Sequence, residues 1–369
     1  MGVLDLFLEL AAPPSPPGDE RAVADRVTAE LRTLGLEVGE DGAGARIGSN
    51  AGNLYAWLEP TRDGGVPLFL CAHLDTVPPE GPIEPIVEDG VVRNAAGTIL
   101  GADNKSAVAA MLEGARRLLE EGRPHAGVEL VFTPKEEVGL RGADALDHTR
   151  LRAQVGYVYD QSAPIGEIIL GAPYGATLDV VFSGRSAHAG IVPEEGRSAI
   201  AAAARAIADL RLGRLDDETT ANVGTIEGGT ARNIVPERCS FLAEARSHDE
   251  AKLAELVKEM QETIAFAAAL ADCDAEVQLA PSYHGYRFRR DELQVRLAAE
   301  ALRRAGYEPT YGLTGGGADA NVFNGRGLRC VNLANGMAEI HTPAEHIAVA
   351  DLEGMVEVTL ALVGAAADA

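Results

Sequence analysis

The first residues of this chain that could do chemistry are His73 and Asp75, near the end of an apolar segment, and Asp103 further along the chain. His73 and Asp75 lie in VPLFLCAHLDTV (66–77) and share one face of a strand, because alternate residues point the same way. A carboxylate so placed can fix an imidazole tautomer and leave the other ring nitrogen free for a metal ion. Asp103 in LGADNKSA lies where a loop enters a helix, a position at which aspartate is also an ordinary helix cap. Taken singly, these residues are compatible with a metal site or with structural roles.

Two adjacent glutamates and a second histidine extend the same chemistry. Glu136 and Glu137 in PKEEVGLRGA follow another apolar run, and both can serve one site only if the backbone turns there. One would then bind metal while the other accepts a proton from water, and a solvated charge pair is the alternative. Asp160 ends VGYVYD, and His341 lies in EIHTPAEH after a predicted strand. Each is weak evidence alone, but two histidines, two aspartates and a glutamate are nitrogen and oxygen donors that zinc accepts.

The elements that carry these residues alternate between strand and helix. Apolar runs at 66–77, 127–134 and 155–160 predict strands, and helices are predicted at 21–34 and 104–121. This alternation indicates an α/β fold with a mostly parallel sheet and helices on both faces. Because ligands bind beyond the C-terminal ends of such strands, the polar residues after the apolar runs should meet along one edge of the sheet.

The pattern changes from residue 177. Strand, helix, strands and helix follow over roughly 110 residues, which predicts a small α+β module with an antiparallel sheet. A helix at 291–305 and the strand CVNLAN then indicate a return to the first domain. The predicted domains are a catalytic domain in two parts and an insert: 1–176, 284–369 and 177–283.

Composition excludes several classes of partner. The net charge of −24 argues against nucleic acid, because a phosphate-binding face needs clustered Lys and Arg. No apolar stretch reaches the 18 residues of a membrane span. Asp5 and Glu9 interrupt the first apolar stretch, and no Lys or Arg precedes it, so it does not read as a secretory signal. Four cysteines without a CxxC pair fit a reducing compartment, and the expected location is the cytoplasm.

In their order along the chain, HLDTVP, GADNKSA, EEVGLRGA, Asp160 and EIHTP resemble the two-zinc peptidase T (tripeptide aminopeptidase) family. Its wider relatives include aminoacylases, acetylornithine deacetylase, succinyl-diaminopimelate desuccinylase and glutamate carboxypeptidases. The resemblance covers essentially the whole chain. It implies hydrolysis of short peptides, a lid or dimerisation role for the 177–283 insert, and a homodimer formed through it.

The resemblance also implies a ligand set. Asp103 would bridge two zinc ions and would be followed by a cis peptide bond. His73 and Asp160 would complete one ion, and Glu137 and His341 the other. Cobalt or manganese would suit the same nitrogen and oxygen donors.

Roles in catalysis and substrate binding follow from the same resemblance. Asp75 would orient the strand-end histidine, and Glu136 would be the general base. In the insert, His188 matches a residue that reaches the substrate carbonyl. Asn233 and Arg246 match substrate-contacting positions, and an arginine fork is suited to gripping a carboxylate.

Other functions remain open at this point. An N-acyl amino acid deacylase, a dipeptidase or a carboxypeptidase would use the same zinc chemistry on a different substrate. A metal-dependent binding protein would be expected to lack the base or a ligand, yet all seven chemical positions are present. A nucleotide-binding enzyme predicts a GxGxxG or Walker loop, a serine hydrolase predicts a GxSxG elbow, and the sequence contains none of these.

Overall fold

Strands and helices alternate through the first part of the chain, in agreement with the sequence pattern. The computed structural model describes residues 2–369. The helices are α1 Val3–Ala11, α2 Arg21–Thr33, α3 Ala43–Ile47, α4 Ala102–Glu120, α5 Arg141–Ala145, α6 Ala199–Asp209, α7 Glu250–Leu270, α8 Leu293–Arg304, α9 Asp319–Gly325 and α10 Val349–Ala367. The strands are β1 Val38–Glu40, β2 Leu54–Leu58, β3 Leu68–His73, β4 Pro85–Glu88, β5 Val91–Asn94, β6 Val128–Thr133, β7 Val155–Gln161, β8 Glu167–Ala172, β9 Tyr174–Ser183, β10 Gly213–Arg214, β11 Thr219–Gly228, β12 Arg238–Ser247, β13 Asp274–Tyr283, β14 Tyr286–Arg287, β15 Thr310–Leu313, β16 Arg329–Ala334 and β17 His346–Ala348.

The main sheet places the three predicted strands side by side. Its order is β1-β2-β6-β3-β7-β16-β8-β14, with β15 beside β8. β3 runs parallel to both β6 and β7, and β16 runs parallel to β7. β1, β2 and the β16/β8 pairing are antiparallel. The predicted α/β class with a mostly parallel sheet is therefore confirmed.

Burial explains why these strands read as unbroken apolar runs. Every residue of β3 and of β6 is buried, as expected where helices cover both faces of a parallel sheet. Phe7 and Leu10 of α1 are fully buried in the same core as Leu70 of β3 and Val108 of α4. The strands are thus held between helices, and only their ends are free to carry polar side chains.

The chain divides into two compact units. One runs as far as Gly171 and resumes from Arg287 to Ala369, and the other is Ala172–Tyr286. In the second unit, β10-β11-β12-β9-β13 form an antiparallel sheet. Burial alternates along β12, where Cys239 and Phe241 join the core formed with α6 and α7.

Several elements differ from the sequence expectation in detail. α4 spans Ala102–Glu120, but Asp103 and Asn104 have non-helical backbone angles, so the regular helix starts at Lys105, close to the predicted start at 104. A small sheet of order β17-β5-β4 was not predicted, because its strands are only three or four residues long. All four cysteines are free thiols. Within residues 2–369, every helix is too short or too polar to span a bilayer.

Truncating the core of the second unit should separate buried from exposed aromatic residues. Phe241 on β12 is 1% exposed, whereas Phe266 on α7 is 59% exposed. We expect Phe241→Ala to lower the free energy of unfolding by about 3–5 kcal/mol through lost burial and a residual cavity. Phe266→Ala, the matched control, should change it by no more than about 0.5 kcal/mol. Urea unfolding followed by circular dichroism measures both, and equal effects would contradict the core assignment.

Candidate active site

Three neighbouring strands deliver polar side chains to one edge of the main sheet. His73 is the last residue of β3 and is 2% exposed. Asp160 lies near the end of β7, and its Oδ1 is 3.9 Å from His73 Nε2. β6 ends at Thr133, shortly before Glu136. Because these strands are parallel and adjacent, residues far apart in sequence lie within a few ångströms of one another.

A turn after β6 lets adjacent glutamates face the same region. Lys135 adopts a positive φ of 56°, so the chain leaves the strand direction there. The carboxylate of Asp75 accepts hydrogen bonds from the backbone N–H of Glu136 (2.9 Å) and of Glu137 (3.1 Å). The backbone turn that would let both glutamates serve one site is therefore present, and hydrogen bonds to the Asp75 carboxylate stabilise it.

Asp103 lies between the two histidines. Gly101, two residues before Asp103, has a positive φ of 80°. The peptide bond between Asp103 and Asn104 is cis, as the resemblance implies. Asp103 Oδ1 is 3.0 Å from His73 Nε2, and Asp103 Oδ2 is 3.3 Å from His341 Nε2. Each carboxylate oxygen therefore faces a different imidazole.

His341 completes the cluster from a loop near the C-terminus. Its Nε2 is 3.1 Å from Glu137 Oε1, and its side chain is 45% exposed. Two overlapping groups of donor atoms, each within 4.8 Å of one another, could hold a metal ion. These groups are His73 with Glu136 and Asp160, and His73 with Asp103 and Glu137.

His73 Nδ1 faces both the backbone oxygen and the carboxylate of Asp75. Its Nδ1 lies 2.9 Å from the backbone oxygen of Asp75, whereas the Asp75 carboxylate is 3.5 Å away. The closer contact is thus with the main chain. The Asp75 carboxylate also accepts the backbone N–H groups of Glu136 and Glu137, so Asp75 contacts both His73 and the turn that carries the two glutamates.

Burial and charge leave this cluster suited to a cation. Burial raises the pKa of Glu136 well above its usual value, and burial with the neighbouring Asp103 does the same for Asp160. Burial would raise the pKa of Asp103 as well, but hydrogen bonds to His341 and His73 lower it. Hydrogen bonds to Asp103 and Glu137 raise the pKa of His341 to about 10. The buried carboxylates thus outnumber the imidazoles, and these donors are of the types that divalent zinc accepts.

Sequence reasoning missed a glutamate that holds the Asp103 loop. Glu345 is 2% exposed, and its carboxylate accepts the backbone N–H of Leu100 (2.7 Å), Gly101 (2.9 Å) and Asp103 (3.0 Å). It lies four residues after His341 in EIHTPAEH, so the same motif carries a ligand candidate and its support.

The N-terminal segment also supports the cluster. Lys105 Nζ donates to the backbone oxygen of Pro13 at 2.7 Å, and burial lowers the pKa of this lysine to about 7. Ser15 Oγ donates to the Leu74 oxygen at 2.9 Å, and Thr76 N–H donates to the Ser15 oxygen at 3.0 Å. The loop after α1 is therefore bonded to the residues on both sides of Asp75 and to α4.

Two further polar residues fix the strand ends. Asn332 on β16 accepts from Asp160 N–H (2.9 Å) and donates to the Asp160 oxygen (2.8 Å). Asp319 is buried at the start of α9, where it accepts the Thr133 hydroxyl at 2.5 Å. Burial raises the pKa of Asp319 to about 6. GGGADAN contains this residue, but nothing in the sequence pattern alone distinguishes it from a surface loop aspartate.

The three predicted substrate residues of the insert lie in the second unit and are not gathered there. His188 forms an isolated bridge with Ile234, next to Asn233, and all three are exposed. Arg246 lies near the far end of β12, roughly 25 Å along that strand from its first residue. Asn233 precedes that first residue. One copy of the second unit therefore holds His188 and Asn233 together, but not Arg246.

The similarity of this chain to known proteins extends over nearly its whole length. The sequence model described as "Peptidase family M20/M25/M40" matches residues 69–365. The uncharacterized protein YqjE of Bacillus subtilis (strain 168) is 38% identical over 365 residues, which cover 99% of this chain and 98% of that protein. The crystal structure of aminopeptidase PepT from Bacillus cereus is 40% identical, with a TM-score of 0.88 over 99% of this chain and 98% of that one. That of a tripeptidase from Staphylococcus aureus is 36% identical, with a TM-score of 0.93 over 100% and 98%.

Replacing Glu345 by glutamine should weaken metal retention without removing any donor of the cluster. The amide would turn an N–H donor toward the backbone donors that Glu345 now accepts, so the Asp103 loop should lose its geometry. We expect metal affinity to fall about 10–100-fold, as for other residues that orient metal ligands. Competition with a chelator, followed by measurement of bound metal, gives this affinity.

Glu339→Gln is the matched control, because Glu339 is an exposed residue of the same region whose side chain makes no hydrogen bond within the described residues. It should behave as the unmodified protein. Equal metal retention by the two variants would show that Glu345 does not position Asp103.

Proposed function

Because this chain belongs to peptidase family M20/M25/M40 and is a metal-dependent peptidase, we propose that it removes the N-terminal residue from short peptides, as a tripeptide aminopeptidase does. The observation that carries the proposal is the position of Asp103, with one carboxylate oxygen toward each histidine. The likeness to an aminopeptidase and to a tripeptidase, at 40% and 36% identity over nearly the whole chain, supports the substrate class.

We infer that the cluster holds two zinc ions. Asp103 would bridge them, His73 and Asp160 would complete one, and Glu137 and His341 the other. The distances support this division, since His341 lies 3.1 Å from Glu137, and His73 is the histidine that approaches Asp160. When bound, such a pair lowers the pKa of water and polarises a carbonyl oxygen. Cobalt or manganese would satisfy the same donors.

Glu136 is the proposed general base, because it is the buried carboxylate of the cluster left outside the five ligands. Burial raises its pKa well above the usual value, which makes it a stronger proton acceptor. Glu136 would accept one proton from water as the water oxygen bonds to the scissile carbonyl carbon. It would then deliver that proton to the amine nitrogen as the C–N bond breaks. Asp75 positions the base by accepting its backbone N–H.

The inserted domain, 177–283, is proposed to bind substrate and to form a homodimer. His188 and Asn233 adjoin each other and are exposed, which supports a shared role at the substrate carbonyl. Arg246 is half-buried, and its fork geometry suits a substrate carboxylate. A homodimer would allow residues that one copy keeps apart to come from two copies.

The proposed location is the cytoplasm. The four cysteines are free thiols, three of them buried, which is the state expected in a reducing compartment.

Removing the carboxylate of Glu136 should separate metal binding from turnover. We expect Glu136→Gln to retain both metal ions, because the five proposed ligands remain, and to lose about 10²–10⁴-fold in kcat, the usual contribution of a positioned base. Peptide hydrolysis and metal content are measured on the same preparation. Glu339→Gln serves again as the control, and near-normal turnover by Glu136→Gln would remove the base assignment.

A defined peptide mixture should identify the substrate class. We expect release of the N-terminal residue from tripeptides, abolished by a chelator and restored by zinc, with products identified by mass spectrometry. N-acetylated amino acids and peptides with a blocked N-terminus form the comparison set. Cleavage of N-acylated amino acids alone would favour a deacylase, and release of C-terminal residues would favour a carboxypeptidase; either result would overturn the aminopeptidase proposal.

A further inference from the structure

A basic cavity lies beside the turn that carries the two glutamates. It has a volume of about 490 Å³ and is lined by Pro17, Arg46, Ile47, Lys135, Val138 and Arg141. Three of these six residues are cations and none is a carboxylate, in a chain whose net charge is −24. All of the lining residues belong to the unit that contains the metal-donor cluster. The charge of this cavity is opposite to that of the chain as a whole.

Most side-chain N–H donors of the three cations are not used in hydrogen bonds within residues 2–369. Arg46 donates one bond to the Ala145 oxygen at 2.6 Å, and Lys135 Nζ donates one to the Ile47 oxygen at 2.9 Å. Within residues 2–369, the Arg141 side chain makes no hydrogen bond, and none of the three cations forms a salt bridge. A guanidinium offers five N–H donors and suits the planar oxygens of a carboxylate or phosphate.

A buried carboxylate beside this turn, that of Glu20, forms no salt bridge with the three cations within residues 2–369. Glu20 is buried beneath this turn, and its oxygens accept the backbone N–H of Gly18 (2.7 Å) and of Lys135 (3.1 Å) and the Ser49 hydroxyl (2.6 Å). Both of its oxygens are therefore occupied by other donors. Glu20 is thus bonded to the backbone and to Ser49, and the side-chain donors of the three cations are not directed to it.

Two residues that line the cavity are neighbours in sequence of the two glutamates. Lys135 immediately precedes Glu136, and Val138, which is 49% exposed, immediately follows Glu137. Pro17 and Val138 add apolar surface beside the cations, and the exposed Arg46 and Arg141 are open to an anion from solvent. An anion held here would contact both ends of the turn.

We propose that this cavity binds a compact anionic group, a carboxylate or a phosphate, through Arg46, Arg141 and Lys135. Such a group has two possible sources, an acidic group of the peptide substrate or a free inorganic anion. Both use the same charge-assisted hydrogen bonds. The site goes beyond the proposed peptidase function, and its binding step does not depend on turnover.

Calorimetric titration with inorganic phosphate at constant ionic strength tests the binding directly. The proteins compared are the unmodified chain, the double variant Arg46→Gln/Arg141→Gln, and the control Arg303→Gln/Arg329→Gln. The control residues are exposed, form no salt bridge within residues 2–369, and change the net charge equally. Phosphate bound at the metal centre contributes equally to all three, so the difference between the variants reports on the cavity.

We expect the double variant to lose a binding event that the control retains, with Kd raised at least tenfold. Arg141→Gln alone breaks no hydrogen bond of the described structure and should weaken the same event partially. If both variants titrate like the control, the cavity is not an anion site and the proposal fails, whatever the peptidase activity.

Kinetics then distinguish the two sources of the anion. A neutral tripeptide is compared with one that carries aspartate at its third position. If the peptide supplies the anion, the double variant should show a KM about tenfold higher for the acidic peptide only. If a free anion is bound, both peptides should respond alike, and phosphate should change their hydrolysis in the control but not in the double variant.

Discussion

The structure depends on keeping several carboxylates together in a small buried volume. Asp103, Glu136 and Asp160 are all largely buried. Burial and repulsion between carboxylates raise the pKa of Glu136 and Asp160, whereas hydrogen bonds from the two histidines lower the pKa of Asp103. Two imidazoles offset part of this charge, and a pair of divalent cations would offset the rest. The fold contributes rigidity, because parallel strands of one sheet fix where His73 and Asp160 project. The surrounding backbone therefore holds these carboxylates close together against their mutual repulsion.

That backbone is itself held by carboxylates that are not among the five proposed metal ligands. Glu345 accepts three backbone N–H groups of the Asp103 loop, Asp75 accepts two from the glutamate turn, and Glu20 accepts the N–H of Lys135. In each case a side chain accepts hydrogen bonds from the backbone, so we expect its substitution to shift the backbone of that loop. The supporting residues act on loops, since the strands already have their own ladder of hydrogen bonds.

The parts of the fold and of the site that could be predicted from the sequence were those marked by apolar periodicity or by the order of the motifs. The buried strands β3, β6 and β7 were predictable because a strand covered on both faces is continuously apolar, and the polar residues that follow each strand had to meet. The turn at Lys135 could be stated as a condition but not established, because a positive φ at a lysine has no sequence signature. Glu345, Lys105 and Asn332 were missed, since a buried polar residue that bonds to the main chain resembles a surface residue until its neighbours are known. The separation of Arg246 from His188 required the strand register, which spacing alone does not give.

The clamp made by Glu345 has a consequence for how the protein is made. Glu345 lies 242 positions after Asp103, and the whole second unit lies between them. A ribosome therefore finishes the inserted unit, whose strands and helices are contiguous in sequence, before it has added the carboxylate that fixes the Asp103 loop. The growing chain therefore carries both glutamates and the first histidine before it has the residue that fixes the Asp103 loop, and we expect it to gain peptidase activity only after Glu345 has been added.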